Sequence, residues 1–252
     1  MTDLTLSGLR GKRALVTGAA DGLGKAIADA LHEAGATVYG TSRSQETTES
    51  ICSRYGQPTI PSLDVADAAS IPEFARETTR ISGAIDFLIN NAGVNVPKAA
   101  TDLTDTDWDR VFDTNVKGTF VVSREFGKLW HAGGREGSIV NVASQAGIVA
   151  IEERAAYGTS KAAMIHLTKQ LALEWAPHGI RVNAVAPTFV KTALTASTLE
   201  RGNWADELKS RIPLGRFGEP HEVAGPVAFL LSDMASLITG HTLVVDAGYT
   251  IH

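Results

Sequence analysis

Lys12-Arg13-Ala14-Leu15-Val16-Thr17 runs directly into Gly18-Ala19-Ala20-Asp21-Gly22-Leu23-Gly24, after which Ala26, Ile27, Ala30 and Leu31 repeat at helical spacing as far as Gly35. A short apolar run, a glycine turn and an apolar stripe of period 3.6 spell strand, turn and helix. Glycines permit a tight turn and close backbone approach, and the first turn of a helix offers amide N–H groups to a pyrophosphate. This unit predicts a dinucleotide-binding sheet, with ligands gathered at the carboxyl ends of its strands.

Working outward, the same alternation continues. Residues 36–41, 60–65, 85–89, 137–144, 180–187 and 242–245 read as strands. Helical stripes fall between them, one opening at Thr104 or Asp105, one carrying Met164, Leu167, Leu171 and Trp175, and one over residues 221–231. The pattern predicts a single α/β domain over residues 1–252, a Rossmann-type doubly wound parallel sheet with helices on both faces. Residues 188–211 lack clear periodicity and read as a substrate lid.

Bulk properties narrow the function. A net charge of -5 with scattered Lys and Arg gives no basic patch for nucleic acid. Cys52 is the only cysteine, which excludes an internal disulfide framework, and the histidines show no metal spacing. No apolar run approaches the ~18 residues of a membrane span, and no export signal opens the chain. The expectation is a cytoplasmic protein with a small-molecule substrate, and with neither nucleic acid nor a membrane as partner.

Several polar residues stand at the predicted strand ends. Ser42 and Arg43 follow the second strand, where an acidic side chain often meets a ribose; an arginine there can grip a 2′-phosphate instead, although Asp21 in the glycine turn would repel it. NADP(H) is therefore slightly favoured over NAD(H). Asp64 reads either as an adenine contact or as an N-cap for the next helix. Asn90-Asn91-Ala92-Gly93 ends the fourth strand, and Ser144 the fifth. Asn115 sits in the stripe Trp108, Phe112, Thr119, Val122, where a buried amide needs partners or a water.

Tyr157 and Lys161 lie four residues apart, which places both heads on one helical face. Using a phenol of ordinary pKa about 10 near neutrality takes roughly 4 kcal/mol of phenolate stabilisation. A cation about 4 Å away, at an effective dielectric of about 20, supplies roughly that amount.

Taken in order, Thr17-Gly18-x-x-x-Gly22-x-Gly24, Asn90-Asn91-Ala92-Gly93, Asn115, Ser144, Tyr157-x-x-x-Lys161 and Asn183-x-x-x-Pro187 resemble the classical short-chain dehydrogenase/reductase family over nearly the whole chain. The resemblance implies an oxidoreductase interconverting a secondary alcohol and a ketone with a nicotinamide cofactor. It makes Tyr157 the acid/base and gives the substrate oxygen a hydrogen bond from Ser144. Lys161 lowers the tyrosine pKa and holds the ribose, and Asn115 anchors a relay water. It further implies cofactor contacts from Gly18, Gly22, Leu23, Gly24, Arg43, Asp64, Val65, Asn91, Gly93, Pro187, Val190 and Thr192, with Asp21, Ser42, Ala92 and Thr188 beside them. Thr188 departs from the family's usual glycine.

The stretch from Pro187 to Val190, with Ser144-Gln145 and the C-terminal segment, looks most like members acting on polyols and sugar acids. Gln145, Asn95, Glu153, Phe189 and Trp204 are the candidate substrate wall. The alternative is a 3-oxoacyl thioester (acyl-carrier-protein) reductase, served by Lys191, Arg201, Lys209 and Arg211 at the mouth. A non-catalytic dinucleotide-binding scaffold would not need the complete Asn115, Ser144, Tyr157, Lys161 set. The resemblance also implies a homotetramer, paired through the helices carrying Asn115 and Tyr157 and through the last strand.

Overall fold

The computed structural model describes residues 6–192, 195 and 203–251. Its six strands are β1 (Arg13–Thr17), β2 (Thr37–Thr41), β3 (Phe87–Asn90), β4 (Gly137–Val142), β5 (Ile180–Pro187) and β6 (Thr242–Val245). They form one parallel sheet in the order β2-β1-β3-β4-β5-β6. The chain leaves β1 for β2 on one side and reaches β3 on the other, so β1 and β3 flank the point where the winding reverses. A crevice opens at such a point because the connections on its two sides diverge.

Alternation along the strands sends side chains to two cores. Val16, Val38, Ile89, Val140 and Val185 pack under α1 (Gly22–Glu33) and the helix Pro220–Leu231. Leu15, Tyr39, Leu88, Ile139 and Val182 face the other way, against helices that include α3 (Ile71–Ser82). Between β2 and α3 lies α2 (Gln45–Arg54), capped by Ser44. Both faces are covered, as the continuous apolar runs require.

The run read as a strand at residues 60–65 is not one. Ile60, Leu63 and Val65 are buried, yet the Leu63 N–H meets only the Ser42 carbonyl, just beyond the end of β2, and no ladder forms. Asp64 caps no helix either: its Oδ1 accepts from the Ala66 N–H, and α3 starts after Ser70.

The stretch after Thr104 is helical but changes pitch. Thr104 and Asp107 make a reciprocal capping box for α4 (Asp105–Phe112). A π-helical turn follows at Asp113–Gly118, before α5 (Thr119–Ala132). The extra residue in the turn breaks the single face expected of Trp108, Phe112, Asn115 and Thr119, leaving Trp108 exposed while Asn115 is wholly buried. Helix α6 (Ala155–Trp175) carries Tyr157 and Lys161, as their spacing predicts.

Of the stretch expected as a lid, residues 193, 194 and 196–202 lie outside the described ones. Its end is regular, since Asn203–Ser210 forms α7, ahead of α8 (Pro220–Leu231).

Candidate active site

A cleft of about 580 Å³ opens at the carboxyl ends of β1, β3, β4 and β5. Its floor is the glycine turn. Gly18 and Gly22 adopt φ of 64° and 51°, in the left-handed region that favours glycine. A Cβ on Gly24 would collide with the Gly18 carbonyl, so the turn folds back on itself as tightly as backbone allows. Asn91 pins it, its Nδ2 donating to the Thr17 and Gly18 carbonyls at 3.0 and 2.9 Å. Thr17 Oγ1 returns the support by accepting from the Asn91 and Ala92 N–H groups.

Asp21 precedes α1 without capping it by its side chain. The first-turn N–H groups of α1 therefore face the cleft without a side-chain acceptor. Thr192, from the far wall, closes over this turn: a Cβ on Gly22 would lie 3.2 Å from it. Every residue expected to touch a cofactor lines the cleft: the glycine turn with Asp21 and Leu23, Ser42 and Arg43, Asp64 and Val65, Asn91 to Gly93, Tyr157 and Lys161, and Pro187, Thr188, Val190 and Thr192. Arg43 is exposed at the rim and makes no ion pair with another described residue. Thr17, Arg110 and Thr114 also line the cleft, and sequence reading had not placed them there.

At the inner end stand Ser144, Tyr157 and Lys161. Ser144 caps the short turn Gln145–Gly147, accepting from the Ala146 N–H at 3.1 Å, and it also interacts with the Tyr157 phenol. Desolvation raises the Tyr157 phenol above its ordinary value of 10, opposed by Ser144 and by the charge of Arg154. The Lys161 ammonium is 3% exposed and donates to the Val142 carbonyl at 2.7 Å; burial lowers its pKa to about 8. Its Nζ stands 5.7 Å from the Tyr157 ring centroid. The lowering of the phenol expected from Lys161 is not among the effects acting on it, where desolvation outweighs Ser144 and Arg154.

Asn115 does not line the cleft; it ties the walls together. Its Oδ1 accepts from the Val94 N–H at 2.8 Å, while Nδ2 donates to the Val94 carbonyl at 2.9 Å and to Ser160 Oγ at 3.0 Å. Ser160 in turn donates to the Tyr157 carbonyl at 2.7 Å. The buried amide thus joins the loop after β3, the π turn and α6. Both amide hydrogens and one acceptor site of its oxygen are used within the fold. Ser160 had no signal in the sequence beyond lying beside Lys161.

A second cavity of about 70 Å³ shares Ser144, Tyr157 and Thr188 with the cleft and adds Asn95, Gln145, Arg154 and Phe189. Glu153, expected on this wall, is exposed and lies outside it, since its left-handed φ of 58° turns the chain just before α6. The Trp204 side chain lies outside the described residues. Arg154, 6% exposed, was not anticipated.

A family model described as "Enoyl-(Acyl carrier protein) reductase" matches residues 18–250. The chain is 40% identical over 241 residues to an NAD-dependent glycerol dehydrogenase of Listeria innocua, covering 95% of this chain and 94% of that one. It is 42% identical over 248 residues to a D-threitol dehydrogenase of Mycolicibacterium smegmatis, covering 96% and 94%. A solved gluconate 5-dehydrogenase of Burkholderia cenocepacia, in complex with NADP and tartrate, superposes with a TM-score of 0.93 at 32% identity, covering 98% and 99%.

Proposed function

From the premise that the chain belongs to the short-chain dehydrogenase/reductase family, we propose that it interconverts a secondary alcohol and a ketone by hydride transfer with a nicotinamide dinucleotide, on a small polyol, sugar or sugar acid. The observation that carries this is the meeting of Ser144, Tyr157 and Lys161 at the inner end of a cleft whose glycine floor leaves backbone room for a dinucleotide. The uncapped N–H groups of α1 suit its pyrophosphate. When bound, the dinucleotide would supply the hydride acceptor or donor, its oxidised nicotinamide ring carrying one positive charge.

The protein's own groups handle the proton. The raised phenol of Tyr157 is protonated at neutral pH and is therefore ready as the acid that completes ketone reduction. Ser144 holds the substrate oxygen in line with it. Acting as base in alcohol oxidation, Tyr157 needs its phenolate stabilised, a role we give to the Lys161 ammonium beside its ring. Asn115 and Ser160 fix the helix that presents the phenol.

For the cofactor, Arg43 at the rim supports NADP, with Asp21 opposing. The relatives divide on this point, one being NAD-dependent by name and another bound to NADP. The exposed apolar side chains Trp108, Phe120 and Val244, on the two helices flanking the π turn and on β6, support a homotetramer, and we place it in the cytoplasm. Among the described residues, no helix is long and apolar enough to cross a membrane.

An acyl-carrier substrate, which the family model's description brings to mind, would need free cations at the mouth. Lys191 is paired with Glu219, Lys209 with Asp206 and Arg211 with Glu207, while Arg201 lies outside the described residues. A screen of polyols, sugar acids and a 3-oxoacyl thioester with both dinucleotides, following nicotinamide absorbance, tests the proposal. A higher kcat/KM for the thioester would reassign the substrate class.

A further inference from the structure

The small cavity beside Ser144 and Tyr157 is lined by three residues whose side-chain oxygens are buried without a hydrogen-bond partner. They are Asn95 Oδ1 from the loop after β3, Gln145 Oε1 from the turn after β4, and Thr188 Oγ1 from the loop after β5. Gln145 as a whole is 1% exposed. A buried amide oxygen with no donor has lost its water and gained nothing, so folded chains keep few of them.

Elsewhere among the described residues, the buried Asn side chains find partners. Asn141 accepts from Asn90 and donates to Thr168, Asn183 bridges to Ile238 and His241, and Asn115 uses both ends. The other unpartnered buried side-chain oxygens among the described residues are hydroxyls of Thr78, Ser138 and Thr242, away from this cavity. Two unpaired amide oxygens and a hydroxyl around one cavity, contributed by three separate segments, therefore mark a place where a ligand supplies the donors.

The chemistry of that ligand follows from the atoms. The amide oxygens accept and the NH2 groups of the same side chains donate, so a group that satisfies the whole wall must be able to do both. A hydroxyl can; a ketone, an ester or a carboxylate oxygen only accepts. Thr188 can act in either sense, and it lines both the cleft and the small cavity. Ser144 and Tyr157 are likewise shared. A substrate whose reacting oxygen meets this pair can project a neighbouring substituent into the small cavity. A water needs roughly 10–15 Å³ of such space, so about 70 Å³ takes a hydroxyl-bearing carbon or two and no long acyl chain.

We propose that Asn95, Gln145 and Thr188 form a hydroxyl-binding subsite that makes the enzyme select vicinal diols, and α-hydroxy ketones in reverse, over alcohols with no neighbouring hydroxyl. The proposal rests on the alcohol–ketone reading of the same site and sharpens it. A site built around a substrate hydroxyl rejects the analogue lacking it, because its own polar groups are then left unpaired.

The test compares kcat/KM for butane-2,3-diol and butan-2-ol, with acetoin and butanone in reverse, in the wild type and in Gln145→Met and Thr188→Val, singly and together. These replacements keep volume while removing an acceptor. The wild type should favour the diol by about 10²-fold or more, and the double variant should lower that ratio at least about tenfold. Its melting temperature should match or exceed the wild type's, since desolvated oxygens have been removed. A wild-type ratio near one, or a ratio unmoved in a folded variant, overturns the subsite. If the double variant does not fold, Thr188→Val alone decides by the same ratio. A wild type that oxidises polyols of the screen but neither butane-2,3-diol nor butan-2-ol is tested by the same ratio with propane-1,2-diol and propan-2-ol, where a ratio near one overturns the subsite. Failure on every polyol and sugar acid with either dinucleotide overturns the substrate reading, and the subsite with it.

Discussion

Lys161→Met should remove activity and yet stabilise the protein. The Lys161 ammonium is almost wholly buried, and desolvation lowers its pKa from 10.5 to about 8. That difference corresponds to roughly 3 kcal/mol. Below pH 8 the folded and unfolded chains both hold the proton, and the full penalty weighs on the fold. Between 8 and 10.5 the unfolded chain binds more protons, so stability rises with pH until the penalty is gone. Methionine keeps the length and apolar bulk of the side chain beside Met164 but loses the charge-assisted bond to the Val142 carbonyl, a loss of about 2 kcal/mol. The net gain at pH 7 is about 1 kcal/mol. Unfolding entropy near 2.1 cal/mol/K per residue over 252 residues converts this into a melting temperature about 2 °C higher. Thermal melts of both proteins at pH 7 and at pH 10.5 measure it, and the advantage should vanish or reverse at the higher pH. A variant that melts below the wild type at pH 7, or an advantage that does not shrink as pH rises, would refute the reasoning.

Tyr157→Phe should lower kcat by about 10²-fold or more while dinucleotide binding, followed by fluorescence titration, persists; retention of more than about a tenth of wild-type kcat with chemistry limiting would remove Tyr157 from its role. Because desolvation raises the phenol, alcohol oxidation in the wild type should accelerate as pH rises above neutrality, and ketone reduction should not. Arg43→Ala should lower the ratio of kcat/KM for NADP over NAD by about tenfold, as loss of one charge-assisted contact to a phosphate predicts; an unchanged ratio retires Arg43 as the discriminator.

The residues of the cleft were legible in the sequence for a reason the fold supplies. Gly18, Asn91, Ser144 and Pro187 stand at or just beyond strand ends, and a parallel sheet brings all its carboxyl ends to one edge whatever the loops do. Strand order and motif order therefore suffice to gather them. Burial was legible too, but pairing was not. Ile60, Leu63 and Val65 are as apolar as a strand and as buried, and only the course of the neighbouring backbone keeps them out of the sheet. The π turn at Asp113–Gly118 is invisible to a period of 3.6, because it arises where Gly118 packs so closely on the Val65 carbonyl that a Cβ would collide. The need for partners at Asn115 could be foreseen, whereas Val94 and Ser160 as those partners could not.

The substrate end was least legible, and the cause is physical. Asn95, Gln145 and Thr188 come from three loops, and what distinguishes them is the absence of partners, a property of the assembled wall that no local pattern of residues encodes. Glu153 illustrates the converse: named with the candidate substrate wall, it is carried to the surface by a left-handed turn while Arg154, its neighbour, is buried on the wall. A one-residue difference in a loop exchanges an anion for a cation at the phenol. Reaction type is thus written in strand ends and survives loop variation, whereas substrate choice is set by turns such as this one. Among relatives that share the catalytic set, selectivity should accordingly follow the residues at positions 95, 145, 154 and 188 rather than the glycine motif.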